Sequence, residues 1–414
     1  MYKKRLRKWN VRKRAYRKTD VDSAASSPNN VAQSPAVTTT TRPSTPIQDN
    51  LALTTIAPPA RQAGLEVILN SVFSWSAGKL ESTSLAADPM SRYLASPNSP
   101  PKQDSRTMYR IFELVFDLFN RGQGMLAGKA AQKGFYSLEF VLTEDHPDLI
   151  WHILDSIYEM VDRNHLQLLG LFLNHATLLA TQRLPSQHPL LKILEQLKSC
   201  SYETQEDRDY VCHLMRQAWL RNVDLLGEHI GSATPQQIWP YEQLIWDGRT
   251  RLRKNSALAR RQQTMGQALF ALQEAYQSAP AANMSDKLRV EALALEFTQM
   301  DVGDRVNAER LALDLLQHTS GSDSRLNARF QAYAWKMVAR LQEHRQELDA
   351  AEANLRTAIM MREAAHGASD DIRVIRDMWV LAGLLYKVGK TEEAEVIKLD
   401  ALGRAKTFLE SVQH

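Results

Sequence analysis

Apolar residues recur at helical spacing through most of the chain beyond residue 107 and almost nowhere before it. Ile111, Phe112, Val115, Phe116, Leu118 and Phe119 fall on one side of a 3.6-residue repeat, and Leu149 to Val161 and Leu166 to Thr181 keep the same spacing. Stops are supplied by Gly122, Gly124, Pro147, Pro185, Pro189, Pro235 and Pro240, while alternating β-branched runs are scarce. The pattern predicts an all-α protein with a helical region over 107–286. In contrast, 19–106 is rich in Ser, Thr and Pro, and has too few apolar residues to offset chain entropy, which predicts a disordered linker. One short apolar helix is expected inside it near 65–75, where Leu65, Ile68, Leu69, Val72 and Phe73 share a face suited to docking onto the body.

The region 287–414 repeats itself. Ala308, Ala351 and Ala394 recur at a separation of 43 residues, each near the start of what reads as the second helix of a hairpin. The same frame aligns Leu295, Val338 and Leu381, then Glu296, Ala339 and Ala382, and also Trp335 with Met378. Gly303 and Gly389 share a frame position just before the second helix, where Gln346 stands in the middle unit. Small residues suit helices that cross closely, and glycine suits the turn between them.

These units resemble tetratricopeptide repeats in the longer form typical of kinesin light chain. The last is the clearest, with Leu381-Ala382, Leu385, Gly389, Ala394 and Ala401 in register, and Met361 to Gly367 resembles that form's inter-repeat segment. The resemblance covers roughly Lys287 to Glu410, with Glu296 where a small residue is expected. It implies stacked hairpins forming a superhelix whose concave surface binds a peptide or a helix of another protein.

Charge changes the picture at the other end. The chain holds 51 Lys and Arg against 47 Asp and Glu, and ten of those bases, with no acid, lie in the first eighteen residues. Beyond the tail the balance is therefore 41 bases to 47 acids. Tyr2, Leu6, Trp9 and Tyr16 share one side of a helical wheel, so residues 1–18 read as a basic amphipathic helix. The candidate nucleic-acid-binding residues are Lys3, Lys4, Arg5, Arg7, Lys8, Trp9, Arg12, Lys13, Arg14, Arg17 and Lys18. Guanidinium and ammonium groups reach phosphates, while the aromatic side chains pack on a neighbouring helix or a sugar.

The run from Tyr2 to Lys13 resembles the closing helix of the Clr-five domain, the fungal cryptic-loci-regulator module, in its Tyr-Lys start, basic-apolar alternation, Lys-Trp pair and closing Arg-Lys. The resemblance implies a helical DNA-binding unit placed before a long helical region. It also implies that Met1 falls inside the domain, because the earlier helices are missing, through either a late gene start or an isoform that has lost the fold. Other readings of the tail stay open. Lys3-Lys4-Arg5 and Arg12-Lys13-Arg14 form a two-part nuclear import signal, and the acid-free segment also fits a mitochondrial presequence or a solvated tail.

Signals for catalysis and cofactors are lacking. Gly122 to Lys129 has Gln123 where a phosphate loop needs its first glycine and Ala130 where it needs Ser or Thr, so it reads as a turn and a helix start. Cys200 and Cys212 are too few and too far apart for a zinc cluster, and Cys212-His213 reads as structural. His146-Pro147 and His188-Pro189 look like N-terminal helix boundaries. A second basic stretch, Arg249 to Lys254, reads by default as a solvated face, with a second nucleic-acid contact or pairing to Glu203, Glu206, Asp207 and Asp209 as alternatives. Ser27, Ser34, Thr45, Ser96 and Ser99 each precede proline and form candidate phosphorylation sites in the linker.

No enzyme, cofactor, metal or membrane partner is expected. The expected partners are DNA through the tail and an unidentified protein or peptide on the repeat surface. The expected function is a nuclear DNA-associated regulator of transcription or silencing. The alternative is a repeat scaffold, nuclear or cytoplasmic, whose tail serves only for import.

Overall fold

The computed structural model describes residues 59–81 and 104–410, apart from short breaks at 145, 233–237, 247–249, 255, 257, 279–282, 322–323 and 367–370. The basic tail, most of the linker and all five Ser-Pro and Thr-Pro sites lie outside the described residues. Sixteen α-helices and two π-helical turns, with no strand, account for the described residues, so the protein is all-α.

The linker helix is longer than its apolar core suggested. Helix α1 (Pro59–Glu81) places Ile68, Val72 and Trp75 in the main core, and the Trp75 indole N–H donates to the Pro147 carbonyl at 2.9 Å. Next come α2 (Ser105–Asn120), α3 (Gly124–Val141), α4 (Leu149–Asp162), α5 (Leu166–Arg183), α6 (Pro189–Ser199) and α7 (Gln205–Ser232). Helix α1 packs on α6 and α7.

Helix starts follow local chemistry. Asp104 caps α2 by accepting the Thr107 N–H at 2.7 Å, and His188 caps α6 by accepting the Leu190 N–H at 3.2 Å, with Pro189 opening that helix. His146 likewise accepts the Asp148 N–H just before α4. Gly122, at φ 71°, turns the chain between α2 and α3, so the glycine-rich segment is a turn between helices. The centre of this body is aromatic: Trp151 and Trp219 meet edge to face at 4.8 Å, and Phe112, Phe116, Tyr158 and Phe172 are also fully buried.

A connecting region follows, with α8 (Trp239–Tyr241), a π-helical turn (Glu242–Trp246), α9 (Arg251–Lys254) and α10 (Leu258–Ser278). Three hairpins then complete the chain. These are α11 (Met284–Phe297) with α12 (Arg305–Thr319), α13 (Arg325–His344) with α14 (Leu348–His366), and α15 (Ile372–Val388) with α16 (Thr391–Glu410). A second π-helical turn, Thr298–Val302, closes the first helix of this array.

The repeat frame read from sequence is present in three dimensions. Ala308, Ala351 and Ala394 are all fully buried near the starts of α12, α14 and α16. Gly303, Gln346 and Gly389 all take the left-handed turn conformation, at φ 77°, 64° and 84°. Glycine adopts that conformation freely, whereas Gln346 holds it against the steric cost of a Cβ. At the position of Glu296 the array accommodates a carboxylate: the buried Glu296 accepts the Tyr333 hydroxyl from α13. The array does not stand apart from the body, because Ile375, Met378, Trp379, Ala401 and Ala405 share one apolar cluster with Phe112 and Leu138.

Candidate functional site

The tail residues Lys3 to Lys18 lie outside the described residues, so the candidate surfaces come from the body and the array. The second basic stretch is corrected first. Arg253 is fully buried; it pairs with Asp155 on α4 at 3.0 Å, donates to the Gln243 carbonyl at 2.8 Å, and lies over the Trp219 ring. Arg251 pairs with Asp162 and Glu159, also on α4. The acidic partners of Arg251 and Arg253 are therefore on α4, while Asp207 accepts from Ser201 and the Thr204 N–H. Sequence spacing could not find this, since nearly one hundred residues separate Arg253 from Asp155 and α9 is a single turn. A buried guanidinium held on three sides is a structural element and offers nothing to phosphate.

The array is fastened at one end to the connecting region and at the other to the body. On α11, Arg289 donates to both oxygens of Glu242 at 2.8 and 2.6 Å. On α15, Arg376 bridges Glu113 at 2.7 Å and Asp117 at 3.2 Å on α2, and Arg121 covers the Trp379 ring at 3.9 Å. Helix α16 is held against α3, where Lys133 donates to the Phe408 carbonyl. Burial pushes the Glu113 carboxyl up, but Arg110 and Arg376 outweigh it and hold its pKa below the usual range. The same α2 and α15 faces bring Arg373 close to Arg110 and Arg106. Burial pushes the Arg373 pKa down to about 10, Asp371 opposes, and Arg110, Arg106 and Arg329 add to the fall.

A further ionic junction joins the last two hairpins. Asp377 on α15 accepts from Lys336 on α13 and from Arg362 on α14, the latter at 3.2 Å. Burial raises the Asp377 pKa, but Lys336 and Arg362 together bring it down to about 2. Burial lowers Lys336 to about 8, with Asp377 opposing and Arg340 and Arg362 adding. A pocket of about 680 Å³ lies between the array and α9, lined by Lys254, Arg340, His344 and Lys387 with Glu343.

On a different side of the array, α10 and α12 stand apart over α11 and leave a groove of about 630 Å³. Its apolar lining includes Leu269 and Phe270 from α10, Ala294 and Phe297 from α11, and Leu311 from α12, with Val302 at one end. Glu274, Glu291, Asp304 and Asp314 rim it, and Arg310 and His318 pair with Asp314 and Glu291. The sequence does not reveal this groove, because one wall, α10, lies before the repeat region that begins at Lys287 and the other, α12, lies within it. Phe270 is 68% exposed, but from sequence it is indistinguishable from a core phenylalanine.

Cys212 is buried, and burial pushes its pKa up to about 12. No helix among the described residues is long and apolar enough to cross a membrane. No family model, curated protein or solved structure matches the chain.

Proposed function

We propose that the protein is a helical scaffold for contacts with other proteins, brought to DNA by its basic N-terminal segment, and that it acts in the nucleus as a regulator of transcription or silencing. The observation that carries this reading is the division of charge. Ten bases without an acid occupy residues 1–18, whereas the rest of the chain has 41 bases against 47 acids. In the described part, basic groups such as Arg253, Arg376 and Arg362 are committed to carboxylates of the same chain. Polyanion attraction is therefore assigned to the tail and protein contact to the helices.

The test is a titration of the full chain and of a version lacking residues 1–18 with duplex DNA at two salt concentrations. The full chain is expected to bind with a steep inverse salt dependence and the shortened chain to lose most of that binding. Equal binding by the two removes DNA contact from the tail. The spacing of Lys3-Lys4-Arg5 and Arg12-Lys13-Arg14 favours a second reading, in which the tail is an import signal and the function lies wholly in the scaffold. Nuclear accumulation that depends on the tail, without tail-dependent DNA binding, selects it.

A further inference from the structure

We propose that the groove between α10 and α12 is a docking site for a basic amphipathic helix of another protein; the assignment rests on the scaffold reading and names its partner class. Three observations specify the occupant. The first is apolar surface exposed among the described residues: Phe270 is 68% exposed and Val302 58%, above a floor where Leu269 and Phe297 are buried. The second is room. Gly266 lies inside α10 and lines the groove, and a Cβ built there meets nothing within 4 Å. Glycine weakens a helix interior, and here it leaves space above the groove that no side chain of the array fills.

The third is charge. Four carboxylates face Arg310 and His318 around the rim; Asp314 holds Arg310 at 2.7 Å and Glu291 holds His318 at 3.0 Å. A negative rim around an apolar floor complements a helix with an apolar stripe flanked by Lys or Arg, and repels nucleic acid. An extended peptide is disfavoured, because the walls are helices whose backbone groups are already bonded, leaving no strand edge to extend. Lining residues on α12 run from Asn307 to His318, which spans ~17 Å at the helical rise and matches about three turns of a bound helix.

The test uses a dye-labelled synthetic peptide of about eighteen residues, with Leu and one Trp on one helical face and Lys on the other, titrated into the full chain by fluorescence anisotropy. Controls are a scramble of identical composition and a peptide with Glu in place of Lys. Two variants probe the groove. Phe270→Ser removes the exposed ring, and Gly266→Leu fills the open space while favouring the helix. The expected result is binding at least about tenfold tighter than either control, weakened about tenfold or more by each variant, with the thermal midpoint of Gly266→Leu equal to wild type or higher.

The proposal is overturned if the scramble binds as well as the amphipathic peptide, if both variants bind it like wild type, or if nothing binds below about 100 µM. The scaffold reading is separable from this outcome. Where the proposal fails, proteins retained from extract equally by the wild type and Gly266→Leu leave scaffolding in place elsewhere on the surface, and retention of none by either removes scaffolding as well.

Discussion

The body and the array pack helices in opposite ways. In the body, large side chains interlock: Trp151 against Trp219, and Phe112 edge to face with Phe172 at 5.2 Å, with polar groups threaded between them. One such thread runs from Ser76 to Asn222, Gln243 and Asp148 and ties α1, α7, the Glu242–Trp246 turn and the start of α4 together. In the array the buried contacts centre on alanines, Ala308, Ala312, Ala351 and Ala394, with Leu side chains, Met337, Phe330 and Tyr333 between them. Large irregular side chains define one arrangement and cannot be repeated. Small ones at fixed intervals let the same crossing recur every 43 residues.

Trp219→Ala challenges the body most severely. It removes the partner of Trp151 and the ring under Arg253, and about 4 kcal/mol of stability is expected to be lost, read as a fall in the urea midpoint. Loss below about 1 kcal/mol would mean that the aromatic centre does not define the body. Ala351→Leu tests the array in the reverse sense. Adding volume where α14 crosses its neighbours is expected to cost about 2 kcal/mol, with faster amide exchange confined to α13 to α16. An equal effect on α4 and α7 would erase the distinction between the two packing modes.

Acid provides a milder probe. The Asp377 pKa is held at about 2, below its ordinary 3.8, so the stability it contributes is fully present above about pH 4 and is lost as pH falls through about 2. Asp117 and Glu159 have raised pKa values, mainly through burial, and act in the opposite sense, so the readout is the difference between wild type and Asp377→Asn. Amide exchange of α13 and α15 is expected to accelerate between about pH 4 and pH 2 in wild type and to change less in the variant. The smallest expected effect is Gln346→Gly. Relief of the left-handed strain, partly offset by a freer unfolded chain, is expected to stabilise the protein by about 0.5 kcal/mol, seen as a small rise in thermal midpoint. A decrease would show that the Gln346 side chain contributes more than its backbone costs.

Much of the fold was legible because helices write their spacing into the sequence. The expected Leu149 to Val161 helix is found as α4, and the alanines of the 43-residue frame fall in the second helices of three hairpins. His188-Pro189 marked a helix start because a cap and a ring-fixed φ act within two residues. Interactions between distant segments were not legible. Arg253 looked like one more surface charge, since nothing near it in sequence foretells Asp155 or Trp219. The α10 and α12 groove was hidden for a related reason: a cleft belongs to the arrangement of helices and leaves no spacing in any one of them.

The double attachment of the array has a mechanical consequence. A superhelix with one free end stretches like a spring, each hairpin yielding a little to its neighbours. Here Arg289 on Glu242 and Arg376 on Glu113 and Asp117 pin the arc at both ends. A pull on the C-terminus first meets Lys129 with Glu410 and Lys133 with the Phe408 carbonyl, so α16 must peel from α3 before any hairpin feels tension. The array is braced, and its extension is limited by these ion pairs together with the apolar cluster that Ile375, Met378 and Trp379 share with Phe112 and Leu138.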